Sequence, residues 1–411
     1  MARESFRSVG SGLRLAAVVC AIVGGAPAPA HAQLLPTAPL TFADGRATLG
    51  GSLSATAAPD DTGYFNYTDY ARSLVRMLQV DVAGSVTASD RVTLLGMLRF
   101  QNVETPQAFA LYARIRPWTT RAFDIQVGRI PPTFGAFPRR AYTADNPLIG
   151  EPLGYQYLTS LRPDSLPLSA DELLSMRGRG WLSSFSVGDR TPDHGVPLAS
   201  ASRWDTGVQV HASSTWIEGL AAVTVGTLSN PLVLDDNASK QIVGRVVLHA
   251  GPALVVGVSV ARGGFVTSSA AAAAAVDEGS LTQRALGTDV EYSKGYLLIR
   301  GEAIWSDWAL PIRNLSPEES PLGARAVSLE ARYKLRPGLY VAGRFDHLGF
   351  SEITGSTQRG SWDAPVTRAE VGAGYSLQRN LVAKLAYQYN WRDGGKVHQL
   401  GLVTVQLLFW L

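Results

Sequence analysis

The feature that most constrains this chain is a side-chain alternation of period two, sustained over stretches of 9 to 14 residues. In Leu381–Trp391, the residues Leu381, Ala383, Leu385, Tyr387, Tyr389 and Trp391 share one face, and Val382, Lys384, Ala386, Gln388 and Asn390 share the other. Val327, Leu329, Ala331, Tyr333 and Leu335 oppose Ser328, Glu330, Arg332 and Lys334 in the same way. Successive strand residues point to opposite faces, so this period marks β-strands. Strands of soluble domains average about 5–6 residues. The longer ones here favour a membrane-spanning barrel over a secreted soluble β protein.

Short turns punctuate the strands at Ala88-Ser89-Asp90, Ser213-Ser214-Thr215, Ala250-Gly251-Pro252, Ser293-Lys294-Gly295, Arg336-Pro337-Gly338 and Gln378-Arg379-Asn380, with a slightly longer one at 116–121. Longer polar connections alternate with them: 58–72, 102–107, 131–202, 228–238, 265–283, 309–322, 350–364 and 392–396. Outer-membrane barrels have short turns on the periplasmic side and long loops outside. The segmentation predicts an all-β, antiparallel transmembrane barrel of sixteen strands over 45–411, from 45–57 to 397–411. Pairing the first strand with the last would leave no open edge. Two aromatic girdles are expected: Trp118, Phe123, Trp216, Tyr292, Tyr296, Tyr333, Tyr340 and Tyr375 near the short turns, and Phe100, Trp204, Trp305, Trp308, Phe350, Tyr389 and Trp391 near the long loops. The mature chain has no apolar run near the 20 or so residues of a helical span.

Arg3, Arg7 and Arg14, the apolar stretch Leu15–Ala26 and the small-x-small site Ala30-His31-Ala32 form an export signal, expected over 1–32 with cleavage before Gln33. Residues 33–44 are then a short periplasmic segment. The single cysteine, Cys20, leaves with the signal, so no disulfide framework or cysteine metal cage is expected. The mature chain keeps 34 basic and 33 acidic groups and has no basic run, which argues against a nucleic-acid partner. At 17% charged residues the chain lies below the roughly 25% of soluble domains.

Strand phase directs ten basic and nine acidic side chains inward: Arg99, Arg114, Arg116, Arg245, Arg300, Arg332, Lys334, Arg344, Arg368 and Lys384, with Asp81, Asp124, Asp205, Asp289, Glu291, Glu302, Glu330, Asp346 and Glu370. A dry interior would pay several kcal/mol for each unpaired charge, so a water-filled lumen is expected. The mixed signs predict weak ion selectivity, since strong selectivity needs rings of one sign. The candidate pore-lining basic residues are Arg99, Arg114, Arg116, Arg245, Arg332 and Arg344.

The connection 131–202 holds nine of the 23 prolines, which keeps most of it out of any ladder. Its aromatics Phe134, Phe137, Tyr142, Tyr155, Tyr157, Trp181 and Phe185 argue for a folded segment. Folding into the barrel is expected, with Asp145, Glu151 and Asp164, joined by Asp171 and Glu172, facing the wall of Arg99, Arg114 and Arg116. The other arrangement is an extracellular cap with an extra hairpin at 176–187.

This plan resembles the bacterial outer-membrane porins, general and substrate-specific, over nearly the whole mature chain. Val127-Gly128-Arg129-Ile130-Pro131-Pro132-Thr133-Phe134-Gly135 is similar to the Gly-Arg…Pro-Phe-Gly segment of the phosphate-selective porins O and P. Those porins line their pores with arginine and a lysine ladder, whereas this chain has five dispersed lysines and ends in Phe409-Trp410-Leu411 instead of Phe. The resemblance implies a pore narrowed by the third long loop, and a homotrimer.

The reading is an exported outer-membrane channel for passive diffusion of small hydrophilic solutes or ions, with membrane lipid as its surroundings and no cofactor. The alternatives are a barrel for lipophilic substrates and a lipase-like barrel enzyme. His211 and His249 could face the lumen near Asp205, but no Gly-x-Ser-x-Gly or His-Glu-x-x-His motif accompanies the five mature histidines, and no catalytic or metal site is expected.

Overall fold

The computed structural model describes residues 38–68, 72–102, 104–313 and 315–411; the export signal and residues 33–37 lie outside the described residues. Sixteen long strands follow one another in the chain: β1 (Ala47–Ala57), β2 (Leu78–Ser89), β3 (Val92–Gln101), β4 (Gln107–Ile115), β5 (Phe123–Ile130), β6 (Asp205–Ser213), β7 (Ile217–Thr224), β8 (Gln241–His249), β9 (Leu254–Gly264), β10 (Thr282–Lys294), β11 (Leu297–Trp308), β12 (Leu322–Arg336), β13 (Leu339–Phe350), β14 (Val366–Gln378), β15 (Leu381–Arg392) and β16 (Gln399–Trp410). Each pairs antiparallel with the next, and β1 closes on β16 through Ser52↔Trp410 to Ala57↔Val405. Closure gives every strand two partners, which is what a bilayer demands of a sheet. One short strand, Leu40–Phe42, folds back on β1, so the end of the expected N-terminal segment joins the sheet.

The strand bounds match the alternation because the pattern is the cause of the pairing. A register slip by one residue would turn every charged side chain outward. The outward phase stays exposed and apolar: Leu111 is 63% exposed, Ile242 68%, Val371 59% and Leu385 54%. An apolar band of this extent is stable only against lipid, because soluble surfaces rarely carry contiguous patches beyond a few hundred Å². Two-residue turns such as 295–296 and 337–338 place Gly295 at φ +60° and Gly338 at φ +79°, where a side chain would be strained.

The girdle residues divide. Trp118, Trp216, Tyr292, Tyr296, Tyr333, Tyr375, Trp305 and Trp391 lie exposed on the outer surface. Trp204, Trp308 and Tyr340 do not belong with them. Trp308 is fully buried, Trp204 packs on Phe109, and the Tyr340 hydroxyl donates to Pro147 O at 3.0 Å. The inward phase of β11 and β13 governs Trp308 and Tyr340, whereas Trp204 lies just before β6, at the end of the long connection, and aromatic character alone does not distinguish the two faces.

The main buried cluster comes from the connections and the inward face together. Phe134, Phe137, Leu153, Tyr155, Tyr157, Leu173 and Phe185 of segment 131–204 pack with Ala222, Val243, Ala261, Ile304, Ala324 and Ala326 of the strands. Small wall residues leave room for the large ones of the segment, as close packing requires.

Candidate pore site

Register lines up the inward charges in rungs. Glu291↔Arg300↔Glu330↔Arg344↔Glu370↔Gln388 are direct cross-strand neighbours over β10 to β15. The ion pairs follow: Arg300 Nε–Glu291 2.7 Å, Arg300 Nη1–Glu330 3.3 Å, Arg344 Nη1–Glu330 3.5 Å and Arg344 Nη2–Glu370 2.7 Å. Opposite charges placed directly across a ladder stabilise it. In a second pairing, Arg245 spans β9 to reach Asp289 at 2.6 and 2.9 Å. Gly257 makes that reach possible, since a Cβ there would lie 2.4 Å from Asp289 Oδ2 and 2.5 Å from Arg245 Nη2.

The Val127–Gly135 segment is an elbow that turns the chain away from β5. A Cβ on Gly128, at φ +127°, would meet Leu111 O at 2.4 Å, and Arg129 donates to Trp204 O at 3.0 Å. The Phe134 ring sits over Gly287 of β10, and Gly135, at φ +75°, donates its N–H to Ser259 Oγ at 3.1 Å. Beyond the elbow, inward side chains grip the main chain of the segment. Glu302 accepts from Ala136 N at 2.8 Å and from the Tyr155 hydroxyl. Lys384 Nζ donates to the carbonyls of Thr143 (2.6 Å), Asn146 (2.7 Å) and Leu148 (3.4 Å). Glu370 accepts from Gly150 N at 3.0 Å, and Arg368 donates to Glu151 O at 3.0 Å and Phe65 O at 2.6 Å.

From about residue 160 the segment bonds to the other long connections instead. Asp363 accepts from Ser160 N and Gly178 N, both at 2.7 Å, Thr267 N donates to Pro163 O at 2.9 Å, and Arg313 N donates to Leu168 O at 3.0 Å. In place of the hairpin at 176–187 that the alternative, capping arrangement included, Ser165–Leu166 pairs over two residues with Val187–Gly188. In the connection 265–283, a run of six alanines, Ala270–Ala275, falls largely within the helix Ser268–Ala274, capped by Thr267, with Ala270 and Ala271 buried.

These contacts change the account of the inward charges. Twelve of the nineteen are buried: Asp81, Arg99, Asp124, Asp205, Arg245, Glu302, Glu330, Arg344, Asp346, Arg368, Glu370 and Lys384. These twelve are therefore not the unpaired charges that called for a water-filled interior: opposite charges, neutral polar side chains and backbone N–H and C=O groups of the segment and of other connections hold them. Arg300, Arg332, Arg114 and Glu291 stay partly exposed, and Arg116 and Lys334 are exposed.

The proposed pore residues are distributed accordingly. Arg99 is held by Asp81 at 2.7 and 3.1 Å and stacks 3.7 Å over Phe109. Arg245 and Arg344 are locked in the pairs above. Arg332 lies 5.9 Å over the Tyr340 ring. The acids of the segment do not converge on Arg99, Arg114 and Arg116. Asp164 pairs with Arg162 at 2.8 Å, Asp171 accepts from Ser356 N at 2.7 Å, Glu172 accepts from Leu168 N at 2.6 Å, and Glu151 offers Arg368 its backbone carbonyl. Asp145 lies instead in the field of Arg300 and Lys384, and burial outweighs them to raise its carboxyl above the ordinary range.

The polarity of the segment–wall contact is the reverse of the expected one. Arg139 of the segment meets Glu218 of the wall at 2.8 Å, and Arg140 meets Glu330 at 3.2 Å. The available signal was Pro138-Arg139-Arg140, a proline-led basic pair directly after the elbow. His211 lies between Asp124 and Glu218, at 3.2 and 3.3 Å. Two buried tyrosines of the segment are held by wall charges: the Tyr155 hydroxyl donates to Glu302, and the Tyr157 hydroxyl accepts from Arg392 Nη1 at 3.3 Å. Burial pushes the Tyr155 hydroxyl well above its ordinary range, with the Glu302 carboxylate adding to the rise, and burial pushes Tyr157 up to about 12 against the pull of Arg392.

No protein-family model matches the chain, and no curated protein matches it in sequence. Solved structures do match its fold. OmpF of Salmonella typhi, in complex with daunomycin, superposes with a TM-score of 0.54 at 9% identity over 90% of this chain and 100% of that one. The anion-selective porin of Comamonas acidovorans gives 0.53 at 9% identity over 89% and 99%. A loop-deletion variant of OmpT, an outer membrane protein of Vibrio cholerae, gives 0.53 at 12% identity over 89% and 99%. The class defined is the closed sixteen-strand barrel of the outer-membrane porins.

Proposed function

We propose that the protein is an outer-membrane porin, giving passive and weakly selective passage to small hydrophilic solutes or ions. The observation that carries this reading is a closed sixteen-strand barrel whose outer face is apolar and whose inner face is charged with both signs. Segment 131–204 narrows the bore in this reading, and its docked first half supports a small conductance. Solutes pass along the partly exposed wall groups Arg114, Arg300, Arg332, His211 and Glu218 and the exposed Arg139 of the segment. Their mixed charge fits a modest preference for anions and gives no basis for phosphate specificity. Export by a cleaved signal and assembly as a homotrimer belong to the same reading. His211 serves as a wall group held by two carboxylates, which fits a channel better than an enzyme.

Single-channel recording of the refolded mature protein in a planar bilayer under a salt gradient tests the proposal. Discrete conductance steps with three-fold closure are expected. A protein that inserts and stays silent would overturn it.

A further inference from the structure

The short-turn end of the barrel carries a charge that the chain as a whole does not. The sequence has 37 basic and 34 acidic residues, close to balance. Yet Arg46, Arg91, Arg121, Lys294, Arg336 and Arg379 each lie exposed at a different short connection, accompanied there by Asp44 and Asp90. Counting the turn 43–46 between the short strand Leu40–Phe42 and β1, six of the eight short connections therefore bear a basic side chain, and the remaining two, 214–216 and 250–253, bear no charge.

The position of this rim matters as much as its charge. Just inside it on the outer surface lie Trp118, Tyr296, Tyr333 and Tyr375, exposed by 48, 67, 46 and 45%. Amphipathic aromatics settle at the headgroup level of a bilayer, so the basic side chains stand at or just beyond the lipid phosphates. Arg121 illustrates the pairing, with its guanidinium 5.5 Å over the Trp118 ring. Basic residues beside an anionic leaflet are attracted within a Debye length, and the effects of several add.

Resting on the membrane-barrel reading, we infer that this rim is a docking surface for anionic phospholipid headgroups, recruiting phosphatidylglycerol-like lipids to the leaflet that meets the short turns. The distribution selects this partner. A soluble acidic protein would contact one sector of the rim, whereas these charges occur at connections spread from β1 to β15, around most of the circumference, as a planar leaflet requires. The neutral gap at β6–β9 is a sector where lipid exchange is expected to be unselective.

The test uses the mature protein refolded into vesicles of zwitterionic lipid containing 10–30% phosphatidylglycerol, a range chosen on the order of natural anionic content. Spin-labelled phosphatidylglycerol and phosphatidylcholine report which lipid occupies the protein boundary. A several-fold preference for phosphatidylglycerol is expected, falling towards unity at high salt. It is also expected to be lost in the quadruple variant R91Q/R121Q/R336Q/R379Q. The matched variant R179Q/R190Q/R359Q/K396Q, made in the long connections, is expected to retain it. Equal association of both lipids with the native protein, or an unchanged preference in the first variant, overturns the inference. Heat-modifiable gel mobility and β-type circular dichroism report insertion separately. Failure to insert would therefore count against the membrane-barrel reading itself, while insertion without lipid preference would count only against the rim.

Discussion

At the residue scale, Glu330 is the junction of the site. Its carboxylate is buried and faces three guanidiniums: Arg140 of the segment at 3.2 Å, Arg300 at 3.3 Å and Arg344 at 3.5 Å. Removing one member of a buried ionic group leaves the others uncompensated, at a cost of about 3–5 kcal/mol. Glu330→Gln is therefore expected to lower the urea midpoint of the refolded barrel, whereas Glu352→Gln, at an exposed pair with Arg359, is expected to leave it within about 0.5 kcal/mol. Equal effects of the two would refute the junction role. Gly135 is the second sensitive position. A Cβ there would lie 2.0 Å from the Tyr155 hydroxyl and 2.8 Å from Glu302 Oε1, and φ +75° adds about 1–2 kcal/mol of strain for any other residue. Gly135→Ala should loosen the segment without opening the barrel, and added protease cleavage within 131–204 of the refolded variant would show it.

At the scale of the element, segment 131–204 is a polar insert held mainly through its backbone. Lys384 binds three of its carbonyls, and each carbonyl left unsatisfied costs about 1–3 kcal/mol. Lys384→Met is expected to free residues 143–148 and raise single-channel conductance with more open-state noise; unchanged traces would show that the segment does not narrow the bore. Asp145 supplies a pH signature. Its carboxyl is raised by partial desolvation, so as pH falls it protonates before ordinary carboxylates do. Loss of that negative charge shifts selectivity towards anions. The reversal potential of the native channel should move in the anion direction on acidification, with Asp145→Asn already displaced at neutral pH and flatter in its response.

For the whole molecule, stability resides in closure. Thr56 and Gln406 are direct partners across the β1–β16 seam and share a 2.9 Å hydrogen bond. A Thr56→Cys, Gln406→Cys variant is expected to cross-link on oxidation and migrate as a closed species on gels. Thr56→Cys with Val405→Cys, whose second side chain points to the other face, should remain open. Cross-linking of the second pair alone would mean a different register.

The alternation by itself determined the strand number, the phase of most inward charges (Arg116 falls just past the end of β4 and is exposed) and the division into short turns and long connections, because a period-two pattern admits one buried face and one lipid face. It also singled out 131–202 as exceptional through its prolines. What only the tertiary structure decided was which charges meet. Arg99 could not be assigned to Asp81 rather than to a loop acid, nor Arg140 to Glu330, because those choices depend on register and on the path of an irregular segment. The grip of Lys384, Glu370 and Arg368 was equally invisible, since it acts on backbone N–H and C=O groups that every residue carries. Local periodicity is written in the side chains, whereas the docking of a non-repetitive segment is fixed by the shape and charge of a wall that exists only once the barrel has closed.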